Sequence, residues 1–313
     1  MLSVLAITIP IYACVAIGHL AVRRGILDRA DMRVLATFVI SFALPCMLFL
    51  AIATRPVADI VNPTYLTAYA IGSVLAFATG YTLARARGAT AAERAFDGLG
   101  MSGSNSGFVG YPLLLLTIPT TAGLVLGLSM LVENLLVLPL MYLLAEGAAS
   151  HGPRAARMRA YAARLTRNPL LAGLAAGLVV SLTGLRLPEV LVRTADLFSR
   201  AGTAVALFAI GGLLVSVPTG AVARRVLLVS AGKLLLHPAL VLGALAAVVA
   251  WGMPALSHEL RIGLVVTGAL PIMSIMPVLA SPYGEQEPIA GVLLVTTGVS
   301  FVTLSGLLAV LTG

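Results

Sequence analysis

Apolar runs long enough to cross a bilayer, about 20 residues each, follow one another almost from Met1 to Gly313, parted by short breaks rich in Arg or in Pro and Gly. An aqueous fold cannot hide that much apolar surface. Only 10% of the residues are charged and 59% are apolar, with mean hydropathy +1.04, whereas soluble domains carry roughly 25% charged residues. The sequence predicts an all-α polytopic membrane protein forming one membrane unit, with the lipid bilayer as its surroundings. The formal charge of +8 does not point to nucleic acid, because the arginines sit in separated loops without an aromatic-basic stripe. Cys14 and Cys46 lack metal or redox spacing and read as packing residues. No metal or other cofactor is expected. Residues 1–20 lack a basic leading region and a small-residue cleavage site, so they read as a retained first helix.

Ten spans are predicted, at 2–22, 34–54, 64–85, 96–118, 121–145, 168–185, 200–217, 224–250, 261–281 and 288–312. Residues 89–97 and 187–200 read as amphipathic and interfacial. Residues 146–167, with Arg154, Arg157, Arg159, Arg164 and Arg167, form a basic cytoplasmic connector between a first five-helix repeat (1–145) and a second (168–313). Alternate loops hold Arg23, Arg24, Arg29 and Arg33; Arg85, Arg87 and Arg94; the connector's five; and Arg224 and Arg225. The opposite loops hold only Arg55, Arg186, Arg193, Arg200 and Arg261. Basic residues in short loops stay cytoplasmic, so both termini are expected in the periplasm of a bacterial inner membrane. Five spans per half invert the second half relative to the first. The punctuation follows the same offset: Pro112 and Pro277 lie 165 residues apart, while Asn105 and Ile272, and likewise Pro45 and Gly212, lie 167 apart.

Residues 101–112, Met-Ser-Gly-Ser-Asn-Ser-Gly-Phe-Val-Gly-Tyr-Pro, are poor material for a continuous lipid-facing helix. Small residues can serve close helix packing, but Gly268, Pro271 and Pro277 break the ninth span at the matching place, which favours two interrupted helices. Such backbone survives at membrane depth only inside protein or along a polar cavity, where half-helix N-termini favour anions and free carbonyls favour cations. Gly107, Gly110, Pro112 and Pro277 are the candidate helix-breaking residues. Ser104, Asn105, Ser106, Pro271, Ile272 and Pro45 are the candidate substrate-binding residues. Glu133 lies mid-span, too deep to reach water, where a carboxylate costs roughly 2.5 kcal/mol or more. It reads as a proton-coupling, cation-holding or orienting group, or as a protonated structural partner. Lys233, the one lysine, reads either as snorkelling to the interface or as a counter-charge. His19 and His237 lack a second ligand at metal spacing.

Six segments resemble the auxin efflux carrier family, which includes the plant PIN auxin exporters and bacterial malate and malonate permeases. They are residues 42–49 (Phe-Ala-Leu-Pro-Cys-Met-Leu-Phe), 104–113 (Ser-Asn-Ser-Gly-Phe-Val-Gly-Tyr-Pro-Leu), 167–169 (Arg-Asn-Pro), 206–212, 233–238 (Lys-Leu-Leu-Leu-His-Pro) and 269–277. The resemblance implies a ten-helix inverted-repeat fold similar to bile-acid sodium symporters, with crossing broken helices 4 and 9. Helices 1, 2, 6 and 7 would form a scaffold, and helices 3–5 and 8–10 an elevator-like transport domain. Asn105 and Pro271 would mark the two crossovers. Ser104 stands where the plant proteins carry proline, and Ile272 where they carry a polar residue. The expected function is secondary transport of a small organic anion, auxin-like or dicarboxylate, with H+ or Na+ as possible coupling ion and a homodimer as possible assembly. A channel, a cation-coupled symporter of another solute class, a non-transporting receptor, and an intramembrane serine hydrolase using Ser104 and His237 are the alternatives.

Overall fold

The computed structural model describes residues 2–56, 60–145, 159, 162, 163, 165–216 and 224–312. Most of the connector expected at 146–167, including Arg154, Arg157 and Arg164, lies outside them. Every regular element among the described residues is helical. In chain order these are α1 (Leu2–Arg23), α2 (Arg29–Phe38), α3 (Leu44–Ala53), α4 (Pro63–Ala86), α5 (Ala91–Ser102), α6 (Tyr111–Thr117), α7 (Ala122–Val132), α8 (Leu138–Ala145), α9 (Pro169–Thr183), α10 (Glu189–Leu213), α11 (Arg224–Ala231), α12 (His237–Ala250), α13 (His258–Ala269), α14 (Met276–Ala280) and α15 (Gln286–Thr312). Among the described residues, six helical stretches are long and apolar enough to span a membrane: Ala30–Ala53, Pro63–Ala86, Ala122–Ala145, Glu189–Leu213, Arg224–Ala250 and Gln286–Leu311.

Three of these stretches, and the segment leading into α6, pass through a π-helical turn, and the sequence explains where. The turns are Val39–Ala43, Ser106–Gly110, Glu133–Val137 and Gly232–Leu236, and each is followed two residues later by proline: Pro45, Pro112, Pro139 and Pro238. A proline ring collides with the carbonyl four residues before it, which is the central residue of the turn in all four cases. Widening the turn relieves the collision and hands the next N–H to a carbonyl five residues back, as Leu44 bonds Val39, Leu138 bonds Glu133 and His237 bonds Gly232.

Two differences from the sequence-based expectation concern helix extent. The stretch at 187–200 is no separate interfacial helix: α10 runs unbroken from Glu189 to Leu213. No breaker follows Pro188, and the exposed charges pair along the helix as Glu189–Arg193 and Asp196–Arg200. The stretch at 89–97 likewise joins α5, which opens on a capping box between Thr90 and Glu93 and buries Asp97.

Contacts divide the chain into two compact units. Unit 1 comprises 1–62, 107–128 and 163–216. Its helices approach to backbone contact: a Cβ on Gly211 of α10 would fall 1.9 Å from the Val15 carbonyl oxygen of α1, and one on Gly173 of α9 would fall 2.4 Å from the Pro45 carbonyl oxygen of α3. Asn168 caps α9, accepting from Leu170 N–H at 3.0 Å, with Pro169 in the first turn where no N–H is required. Unit 2 comprises 63–106, 129–162 and 217–313. Here α4 meets α12 through Gly72, whose Cβ would lie 2.6 Å from Val241 Cα.

Candidate functional site

The polar residues of unit 2 converge where two helices stop inside the protein. α5 ends at Gly103 in extended conformation, and α13 ends at Leu270, also extended. Residues 103–105 and 270–275 have no regular helical partners, and a single backbone bond stitches them, Asn105 N–H to the Pro271 carbonyl at 2.9 Å. Ile272 N–H reaches Thr296 Oγ1 at 3.5 Å. Asn105 is buried, and its side-chain Nδ2 has no hydrogen-bond partner among the described residues. An amide with idle donors at a helix break has a recognition capacity that the fold itself does not consume.

Beside the break stands a buried network whose members are at most 3% exposed. Glu133 Oε1 accepts from Tyr69 Oη at 2.9 Å, Ser106 Oγ at 3.0 Å and Ser104 N–H at 3.3 Å. The orphan N–H of the break is thus taken by the protein's own carboxylate. Lys233 does not snorkel. Its Nζ donates to Ser104 Oγ at 2.7 Å, to the Gly268 carbonyl at 2.9 Å and to His237 Nδ1 at 2.8 Å. Those three bonds use all three ammonium donors. Ser104 is the junction, since its hydroxyl also donates to the Thr267 carbonyl at 2.8 Å. Lys233 lies between Ser104 and His237, and Ser104 spends its proton on a carbonyl, so the two are not arranged as nucleophile and base.

α5 and α11 carry this network on a tight parallel pairing. Gly100 faces Val229 and Gly232 faces Met101, where a Cβ would fall 2.6 and 2.4 Å from the neighbouring side chain, so a larger residue would require that side chain to move. Two turns before Ser104 and Lys233, Asp97 accepts from Arg225 Nε at 2.7 Å and from Arg87, while Arg225 Nη1 meets Glu285 at 2.5 Å and Glu93 at 3.6 Å. The Thr90 backbone N–H holds the Glu93 carboxyl below its usual range.

The structure therefore brings Ser104, Asn105, Ser106, Glu133, Lys233, Pro271 and Ile272 into unit 2, as it does Pro277 near the start of α14. Pro45, Gly107, Gly110 and Pro112 belong to unit 1, where Gly107 abuts Leu44 and Pro45 abuts Gly173. Sequence reasoning missed Tyr69, Ser73 and the role of His237. The signal available was the stripe Tyr65, Tyr69, Ser73, four residues apart along α4. It also read Arg87 and Arg225 as topology signals only. Among the described residues no cluster of His, Cys, Asp and Glu could hold a metal ion.

Membrane-length helices interrupted around a buried polar network define a multi-pass helical membrane protein. The membrane transport protein family, that of the auxin efflux carriers, matches residues 3–308, and the chain belongs to it. A Rhizobium meliloti (strain 1021) protein named "Putative malonate transporter" is 27% identical over 317 residues, covering 98% of this chain and 96% of that protein. The chain is a membrane transporter, not an enzyme.

Proposed function

We propose that the protein is a secondary transporter carrying a small organic anion, a dicarboxylate of malonate size, by alternating access. The carrying observation is the buried Nδ2 of Asn105, without a partner among the described residues, at the stitched helix breaks. Its N–H groups suit a carboxylate, and the preceding residue, Ser104, is held by the Lys233 ammonium, which supplies counter-charge. The name of the Rhizobium relative supports the same substrate class.

The architecture proposed with it is ten spans in two inverted repeats, in a bacterial inner membrane, with both termini periplasmic. The matching terminations at Gly103 and Leu270, 167 residues apart, support the repeat. An elevator movement of a transport domain against a scaffold is supported by the division of contacts into two units. Residues 107–128 group with unit 1, so the moving body we infer takes the first half of the broken fourth span and the second half of the fifth.

Uptake of radiolabelled malonate by proteoliposomes tests this reading, and saturable counterflow separates a carrier from a channel. Hydrogen bonds to a charged partner contribute about 1.5–3 kcal/mol, so Asn105→Ala should raise the malonate KM roughly 10- to 150-fold. Unchanged uptake by a folded Asn105→Ala protein would remove Asn105 from the site. Wild-type transport of other carboxylates but not malonate would revise the substrate alone.

A further inference from the structure

We infer that His237 and Ser73 are positioning residues that fix how Lys233 is presented at the helix break, acting through one imidazole tautomer. Lys233 and His237 lie one turn apart across the π turn that Pro238 imposes. An ammonium nitrogen only donates, so the 2.8 Å contact makes His237 Nδ1 the acceptor and places the ring proton on Nε2. Nε2 stands 3.1 Å from Ser73 Oγ on α4, where that proton is received. The close approach of α4 and α12 at Gly72 sets this distance, and the Tyr69 ring lies against the imidazole with centroids 5.9 Å apart.

The competing tautomer would break the contact with Lys233. A ring carrying its proton on Nδ1 would remove one of the three acceptors of Lys233. The Lys233 ammonium excludes this state, since Nδ1 accepts from it; Ser73 Oγ, left to accept from Nε2–H, then holds the plane of the ring. Ser73 thereby controls the direction of the ammonium at Ser104 without touching it.

The inference rests on the transporter reading for its functional arm and on hydrogen bonding alone for its spectroscopic arm. In protein labelled with 15N-histidine, the resonances absent from His237→Asn belong to His237, and they should show the Nε2–H tautomer. An Nδ1–H or doubly protonated ring overturns the inference whether or not malonate is carried. In the functional arm, Ser73→Ala should raise the malonate KM about 3- to 10-fold with Vmax little changed. His237→Asn, whose side-chain oxygen replaces the Nδ1 acceptor, should stay within about 2-fold of wild type, and Ser73→Ala added to it should have no further effect. An equal Ser73→Ala effect in both backgrounds means that Ser73 only packs and overturns the inference. If wild-type protein does not take up malonate while the spectrum is as expected, it is the substrate reading that fails.

Discussion

The two formal charges of the buried network should be worth more together than apart, and a double-mutant cycle on Glu133 and Lys233 measures the difference. The links from Glu133 through Tyr69 and Ser104 to Lys233 are 2.9, 3.2 and 2.7 Å, so the charges lie within about 9 Å of each other. At an effective dielectric of about 20 that separation corresponds to about 2 kcal/mol of attraction. Removing one member of a buried pair costs about 3–5 kcal/mol, whereas replacing both by neutral groups of similar volume is often close to neutral. Glu133→Gln keeps an oxygen for Tyr69 and Ser106 but strands the ammonium. Lys233→Met keeps the volume but strands the carboxylate. At about 2 °C per kcal/mol for a chain of this length, each single variant should melt about 6–10 °C lower when followed by circular dichroism in detergent. The double variant should melt at least about 4 °C above the additive expectation. Strict additivity would refute charge pairing as the reason these residues are buried together.

Two further predictions concern the frame around the site. Asp97→Asn should destabilise by about 3 kcal/mol, because Arg87 and Arg225 lose their shared carboxylate; hydrogen exchange in α5 and α11 should then accelerate, and unchanged exchange would refute the clamp. Gly211→Ala should abolish recovery of folded protein, since its Cβ would lie 1.9 Å from a backbone oxygen, whereas Gly243→Ala, with nothing within 4 Å, should be neutral or up to about 1 kcal/mol stabilising. Equal size-exclusion profiles and melting curves for the two would refute the close α1–α10 approach.

What could be read in the sequence was what depends on local chemistry. Gly103, Pro271 and Pro277 announced the breaks because no neighbour can restore a missing N–H or fix an extended glycine. Glu133 announced itself because a carboxylate in an apolar run is costly unless it is protonated, paired or facing a polar cavity. The partners could not be read, because hydrogen bonding joins residues by space and not by spacing: Ser104 and Lys233 are 129 positions apart, and Arg225 and Asp97 are 128. Arg225 at a span's edge satisfies the positive-inside pattern equally well with or without a buried partner, so its pairing left no trace in composition. Tyr69 and Ser73 are harder still, since aromatic and hydroxyl residues inside a span are ordinary packing material.

The four prolines that follow π turns occupy an intermediate position. Each is legible as a disturbance, but only the backbone shows that the disturbance is a widened turn and not a kink. Two of those widened turns begin with, or contain, the charged residues of the site: Glu133 opens one and Lys233 sits second in the other. A π turn rotates the residues on either side of it relative to the regular helical path, so Pro139 and Pro238 determine the faces on which Glu133 and Lys233 emerge relative to the rest of their helices. The pairing of a mid-span charge with a proline five or six residues later is therefore a signal that a sequence does carry. It locates the side chains that must turn inward before any partner is known.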